Sequence, residues 1–124
     1  MTAGRKPGPI AAPFAHMPRH EAVVYICELS DGSVKVGYSF QPRQRFTMMA
    51  RQLARSGRCI LQSRLFPVSE QGAYALERRA ISALGRVASV IQGHIEYFTG
   101  ISFADACAAV AHELATPSKE ATNA

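Results

Sequence analysis

The sequence contains no acidic residue between Asp31 and Glu70. The same interval carries only basic charges, at Lys35, Arg43, Arg45, Arg51, Arg55, Arg58 and Arg64. A surface with charges of one sign attracts polyanions, and the planar guanidinium group of arginine suits phosphate oxygens. This interval therefore predicts a nucleic-acid partner, although a basic surface that serves only solubility would have the same composition.

Paired cysteines and clustered metal ligands are also missing. The three cysteines, Cys27, Cys59 and Cys107, are an odd number at wide spacings, and no C-x-x-C pair occurs. The four histidines show no ligand spacing either. This pattern argues against a zinc site and a disulfide framework, so we expect reduced thiols and no disulfide-linked partner.

No apolar run approaches the ~18 residues that a membrane span requires. Pro7, Pro9, Pro13 and Pro18 interrupt the N-terminal segment, which excludes the apolar core of a signal peptide. From these two absences we expect a cytoplasmic protein that does not enter a membrane.

Composition along the chain predicts one folded domain with two disordered ends. Residues 1–20 are rich in Pro, Gly and Ala and slightly basic, which indicates a disordered arm. Residues 116–124 form the predicted tail, in which Pro117 ends the preceding element. Residues 21–115 remain for the domain, which is long enough to bury a hydrophobic core.

The domain is expected to open with a β-hairpin, whose turn allows two registers. A two-residue Asp31-Gly32 loop would place Lys35 on the same sheet face as Val24 and Ile26. A three-residue loop over 30–32, with Gly32 left-handed, would avoid that burial of a charge. We expect the three-residue loop, because a one-residue slip moves every side chain to the other face.

In this register the two faces of the hairpin differ in polarity. One face is apolar and carries Val24, Ile26, Val34 and Val36. The opposite face carries Tyr25, Cys27, Lys35, Gly37 and Ser39. Tyr38 falls on the apolar side, where we expect it to serve packing and not chemistry.

The rest of the domain shows helical and extended periodicities in turn. We predict helices over 42–56 and 70–84, a strand over 59–66, a short extended piece at 96–98, and a final helix capped by Ser102. The second helix has an apolar stripe made of Ala73, Tyr74, Leu76, Ala80, Ile81 and Leu84. The expected fold is α+β: a small three-stranded antiparallel sheet covered by helices, in the order ββαβα plus a C-terminal helix.

Glu77 interrupts the apolar stripe of the second predicted helix, three residues after Tyr74 and four before Ile81. A carboxylate that is buried there must be paired, protonated or bound to a cation. The sequence leaves these alternatives open, and a structural ion pair with an arginine is one of them.

Tyr25 and Lys35 share one face of the predicted hairpin. If the two side chains come close, the ammonium favours the phenolate form of the tyrosine and prepares it to take a proton. A solvated lysine beside an ordinary strand tyrosine would produce the same pattern.

Five sequence features in this order resemble the GIY-YIG endonuclease superfamily. They are Val23-Val24-Tyr25, Lys35-Val36-Gly37, Arg45, Glu77 and Glu96-Tyr97-Phe98. The resemblance spans residues 23–98 and is greatest to the branch whose second motif reads Lys-Ile/Val-Gly, found in small phage and bacterial DNA-binding proteins. Most other members have tyrosine at the position of Lys35.

The resemblance implies a role for each matched residue. Tyr25 matches the general base toward water, and Lys35 takes a position where some active restriction-type members also have lysine. Arg45 matches the arginine that neutralises the scissile phosphate, and Glu77 the carboxylate that holds the divalent metal. The family often has an asparagine near the end of the domain, where Glu96 is the nearest counterpart.

These roles predict a metal-dependent endonuclease that hydrolyses DNA phosphodiester bonds, with Mg²⁺ or Mn²⁺ as its cofactor. We expect the four catalytic side chains to meet at one concave, basic pocket, and Arg43, Arg51 and Arg55 to bind nucleic acid beside it. The alternative is a DNA-binding module that keeps this scaffold but cleaves slowly or not at all. A protein-interaction domain without nucleic acid is the third class, against which the acid-free interval argues.

Overall fold

Five strands and three helices occupy the residues that the computed structural model describes, 14–91 and 94–116. In chain order they are β1 (Val23–Leu29), β2 (Val34–Ser39), α1 (Pro42–Ala54), β3 (Ile60–Pro67), α2 (Glu70–Gly85), β4 (Ser89–Ile91), β5 (His94–Thr99) and α3 (Phe103–Ala115). The strands form one antiparallel sheet in the order β3-β1-β2-β5-β4. The α+β class agrees with the sequence, but the predicted three-stranded sheet is wrong.

The two additional strands lie at the β2 side of the sheet. The short extended piece expected at 96–98 belongs to β5, which pairs Val34 with Phe98 and Lys35 with Tyr97. β4 has three residues, too few to show an alternation of polar and apolar side chains. It becomes a strand because it pairs with β5, and such pairing cannot be read from its own residues.

The hairpin register agrees with the three-residue loop. The amide of Leu29 donates to the carbonyl of Ser33 at 2.9 Å, and Gly32 is left-handed with φ 90°. Asp31 closes the turn by accepting from the Ser33 amide at 2.9 Å. The predicted register is therefore confirmed, and it places Lys35 opposite Cys27 and Gly37 opposite Tyr25.

Both faces of the sheet are covered, which the sequence did not indicate. The apolar face of the hairpin packs against α2 and α3, in one core with Phe66, Leu76, Ala80, Leu84, Phe98, Ala106, Cys107 and Val110. Tyr38 packs against the same core, as predicted. The opposite face packs against α1, where Phe46, Met49 and Leu53 cover Tyr25 and Cys27. Those last two side chains are fully buried, because α1 crosses the face that looked polar in the sequence.

Residues 14–20, part of the predicted arm, pack onto α1. Met17 is 3% exposed and lies in the core with Tyr25 and Phe46. The side chain of Arg43 donates to the carbonyl of Met17 at 2.9 Å. The packed region thus extends at least to residue 14, while the remainder of the arm and most of the tail lie outside the described residues.

Helix α2 is held at its start and near its middle. Ser69 caps its start by accepting from the amide of Gly72 at 3.0 Å. Arg79 forms an ion pair of 3.4 Å with Glu113 and also donates to the carbonyls of Glu113 and Thr116 at the end of α3. These contacts fix the helix that carries Glu77.

Two sequence expectations concern the whole chain. All three cysteines are free, so the structure contains no disulfide. Within the described ranges, no helix is long and apolar enough to cross a membrane.

Candidate active site

One pocket of about 370 Å³ brings together the four residues predicted to be catalytic. Tyr25 comes from β1, Lys35 from β2, Arg45 from the first turns of α1, and Glu77 from the middle of α2. Glu96 of β5 also lines it. With two cations and two carboxylates the pocket is close to neutral in formal charge, so the expectation of a basic pocket is wrong here.

The ring of Tyr25 is packed by its neighbours, but its hydroxyl group forms no hydrogen bond within the described residues. The ring is fully buried and meets Phe46 edge-on, with 5.0 Å between ring centroids. Its hydroxyl is buried and has no hydrogen-bond partner among the described residues. A buried hydroxyl without a partner loses its hydration uncompensated, so a polar ligand at this point would lower the free energy.

The absence of a side chain at Gly37 leaves room for the ring of Tyr25. A Cβ atom at this position would lie 2.4 Å from the Tyr25 hydroxyl oxygen and 2.5 Å from Cζ, closer than any real contact. Gly37 lines the same pocket, directly across the hairpin from Tyr25. The glycine of the second motif is therefore required by the phenol that lies against it.

Lys35 is a nearly buried cation that lies close to one carboxylate and two aromatic rings. Its side chain is 12% exposed, and Nζ lies 3.8 Å from Oε2 of Glu96. The same nitrogen lies 5.7 Å from the centroid of Tyr25 and 5.0 Å from that of Tyr97. The faces of aromatic rings attract a cation, so the two tyrosines and the carboxylate together offset its desolvation.

Cys27 lies opposite Lys35 but does not contribute a thiolate. Burial raises the pKa of its thiol to about 12, although the Lys35 charge acts in the opposite direction. A thiol that stays protonated is a poor nucleophile and a poor metal ligand. The chemistry of the pocket therefore rests on oxygen and nitrogen groups.

Arg45 reaches the pocket from its exposed side. Its Nη1 donates to the carbonyl of Tyr38 at 3.2 Å, which ties the guanidinium group to the end of β2. The remaining N–H groups of the fork are available to an anion in the pocket.

Glu77 is half-buried and has no ion-pair partner within 4.0 Å in the described part of the chain. Burial raises the pKa of its carboxyl group, and the charge of Glu96 adds to this rise. Arg78, Lys35 and Arg45 act against it from a distance. Of the alternatives that the sequence left open, the structural ion pair is thus not formed.

A divalent cation fits the donors present here. Glu77 offers a carboxylate that pairs with no cation of the described residues, and Glu96 offers a second one that faces Lys35. Among the described residues, no group of three acidic, histidine or cysteine side chains forms a complete protein cage. Magnesium keeps several waters and takes one or two carboxylates together with substrate oxygens, so such an open donor set suits it.

The three predicted nucleic-acid contacts are distributed along α1. Arg43 and Arg51 line a larger concavity of about 590 Å³ beside the catalytic pocket. Arg55 is the exposed C-terminal cap of α1 and does not line it. Arg43 also donates to the carbonyl of Met17, whereas Arg51 forms no side-chain hydrogen bond or ion pair within the described residues.

One feature near the pocket differs from the sequence prediction. Tyr74, assigned to the buried stripe of α2, is 58% exposed. It meets Tyr38 edge-on at 5.8 Å, and Tyr38 meets Phe40 at 6.1 Å. Tyr74 precedes Glu77 by three residues, so the two side chains lie on the same side of α2. This spacing was visible in the sequence and could have indicated that Tyr74 lies near the pocket.

Comparisons with protein-family models, with curated proteins and with solved structures found no match.

Proposed function

We propose that the chain is a metal-dependent endonuclease of the GIY-YIG type that hydrolyses phosphodiester bonds of DNA. One observation carries the proposal: the buried hydroxyl of Tyr25, which has no partner among the described residues, belongs to the pocket that also contains Lys35, Arg45 and Glu77. The resemblance assigned these four residues to one reaction. The cytoplasmic location expected from the sequence stays a prediction.

Hydrolysis requires a new bond from water oxygen to phosphorus while the bond to the leaving oxygen breaks. In this proposal Tyr25, in its deprotonated form, takes the proton from the attacking water. Lys35 assists it, with its Nζ 5.7 Å from the centroid of the tyrosine ring. Arg45 neutralises charge that develops on the non-bridging phosphate oxygens. The leaving oxygen takes its proton from solvent.

Glu77 is the residue that would hold Mg²⁺ or Mn²⁺, with Glu96 as the nearest second carboxylate. The chemistry that the cation supplies when bound is neutralisation of charge on the phosphate and the leaving oxygen. Glu77 itself contributes a carboxylate oxygen whose position is set by the anchored helix α2.

A DNA-binding module without cleavage is the second candidate. The ion pair of Lys35 with Glu96 favours this candidate, because an ammonium group that is paired with a carboxylate is less available to assist Tyr25 in catalysis. The arginines of α1 would also bind phosphates whether or not the pocket is active.

Nicking of supercoiled plasmid distinguishes the two candidates. We expect the parent protein to produce open circles with Mg²⁺ or Mn²⁺ and none in chelator. Tyr25→Phe should lower the nicking rate by at least ~100-fold, as loss of a general base does. Because its hydroxyl has no partner among the described residues, the change should alter the free energy of unfolding by less than ~1 kcal/mol. If Tyr25→Phe nicked plasmid at the parental rate, Tyr25 would not be the general base. If the parent protein shifted DNA in a gel but never nicked it, the binding module would be favoured.

Salt dependence tests the nucleic-acid contacts independently of cleavage. In chelator, the dissociation constant for DNA should rise steeply with salt, since each phosphate contact releases counterions. Arg51→Gln and Arg55→Gln should each reduce the slope of log K against log salt by ~1. Arg86→Gln, at the exposed end of α2, is the matched control and should leave the slope unchanged. An association that does not depend on salt would argue for a partner other than nucleic acid.

A further inference from the structure

Three aromatic side chains form a row at the rim of the catalytic pocket. Phe40, Tyr38 and Tyr74 meet edge-on in that order, with 6.1 and 5.8 Å between ring centroids. The two outer rings are 44% and 58% exposed, so they form a contiguous aromatic surface with Tyr38. We call these three residues the aromatic row.

The row is attached to the hydrophobic core and adjoins the catalytic pocket. Tyr38 packs against the hydrophobic core and so anchors the two exposed rings. Its carbonyl accepts from Arg45, the residue proposed to contact the phosphate. Phe40 and Tyr38 both line the catalytic pocket, so the row begins where the scissile phosphate would lie.

Two further concavities, which together we call the groove, adjoin the catalytic pocket at the Phe40 end of the row. The catalytic pocket shares Ser39, Phe40 and Arg45 with a second concavity of about 360 Å³. That concavity in turn shares Gln41, Gln44 and Met48 with the one of about 590 Å³. Among the described residues, the lining of these two concavities includes Arg19, Arg43, Arg45 and Arg51 and no acidic side chain.

We propose that this surface binds unpaired nucleotides, with bases stacked on the aromatic row and phosphates along the arginine-lined groove. The inference rests on the proposed function and specifies its substrate: a strand that is single-stranded next to the cleaved bond. In an intact duplex both faces of each base are covered by neighbouring bases, so an exposed ring finds no face to stack on. In a single strand every base offers one, and stacking on protein aromatics is tolerant of sequence.

The charge of the groove decides between possible occupants. An exposed aromatic surface alone would also suit an apolar peptide or a second copy of the chain. Here the row adjoins the groove, whose described lining has four arginines and no carboxylate. Such a surface suits a polyanion that also carries planar groups. Nucleic acid strands have both properties.

The test is fluorescence anisotropy in chelator, which removes cleavage from the measurement. The probes are an oligothymidylate of about 12 nucleotides, within the usual range of single-strand sites, and a hairpin duplex of matched length. We expect the parent protein to bind the single strand at least ~5-fold more tightly than the duplex at equal salt. Phe40→Ala and Tyr74→Ala should each weaken single-strand binding ~10-fold and duplex binding less than twofold. Phe40→Trp should restore the affinity.

Leu61→Ala is the matched control, because Leu61 is 59% exposed on β3 and does not line the groove. Thermal unfolding of each variant checks its fold, and the preference of the parent protein is itself a test that needs no variant. The inference would be overturned if the parent bound both probes with equal affinity. It would also be overturned if Phe40→Ala lost affinity for both probes by the same factor. A protein that nicks plasmid but shows no effect of the row retains the proposed function. One that prefers single strands but cleaves neither plasmid nor a single-stranded oligonucleotide with Mg²⁺ or Mn²⁺ loses only the catalytic part.

Discussion

Glu77→Gln is expected to abolish metal-dependent nicking and to leave the protein at least as stable at pH 7 as its parent. The amide keeps the shape of the side chain but cannot replace a carboxylate ligand of Mg²⁺. Since no cation contacts Glu77 within 4.0 Å in the described residues, the change breaks no ion pair. We expect the free energy of unfolding at pH 7 to be unchanged within ~1 kcal/mol or increased.

The difference in the free energy of unfolding between Glu77→Gln and its parent depends on pH. Burial raises the pKa of Glu77 above its ordinary value of 4.5, so folding favours the protonated form. The corresponding stability is complete below the unfolded-state pKa and is lost as the pH rises through the raised, folded-state pKa. The advantage of Glu77→Gln over the parent should therefore be present at pH 7 and vanish below pH 4.5.

Urea unfolding at both pH values, together with nicking on the same preparations, measures these effects. Glu70→Gln is the control, because it makes the same change at an exposed position of the same helix. A loss of ~3–5 kcal/mol in Glu77→Gln would instead indicate that the carboxylate belongs to a buried ion pair. Such a loss, with no nicking by the parent, would leave the DNA-binding module as the better interpretation.

Gly37→Ala is expected to reduce nicking by at least ~100-fold through Tyr25, as severe a loss as removal of the base itself. The added methyl group would lie 2.4 Å from the phenol oxygen, and the ring cannot move away freely because Phe46 packs on it. Forcing an extra carbon into a packed site typically costs ~1–3 kcal/mol of stability. Binding of DNA in chelator should change little, since the arginines of the groove lie on α1 and in the segment before it.

Gly85→Ala is the matched control for this substitution. A Cβ atom at Gly85, the last residue of α2, would meet nothing within 4 Å. Nicking and unfolding of the two variants can be compared directly, because the covalent change is identical. Wild-type activity and stability in Gly37→Ala would show that the position of the phenol does not matter to the reaction.

Much of the site was readable from the sequence because its determinants are local. The register depends on a short turn and on alternation within 23–39, and it placed Tyr25 and Lys35 on one face before any tertiary contact was known. Helical periodicity likewise located the helices that carry Arg45 and Glu77. The convergence of these residues was inferred from the family resemblance and not from the periodicity.

Turn geometry and residue period act between neighbours, so the sequence alone predicts which residues share a strand face or a helix. What covers those faces depends on the tertiary fold. It placed α1 over Tyr25 and Cys27, added β4 and β5 beside β2, and left Tyr74 in solvent. It also brought Glu96 to Lys35 and left Glu77 unpaired within the described chain. Burial and pairing depend on partners that are distant in sequence, and no local pattern records them.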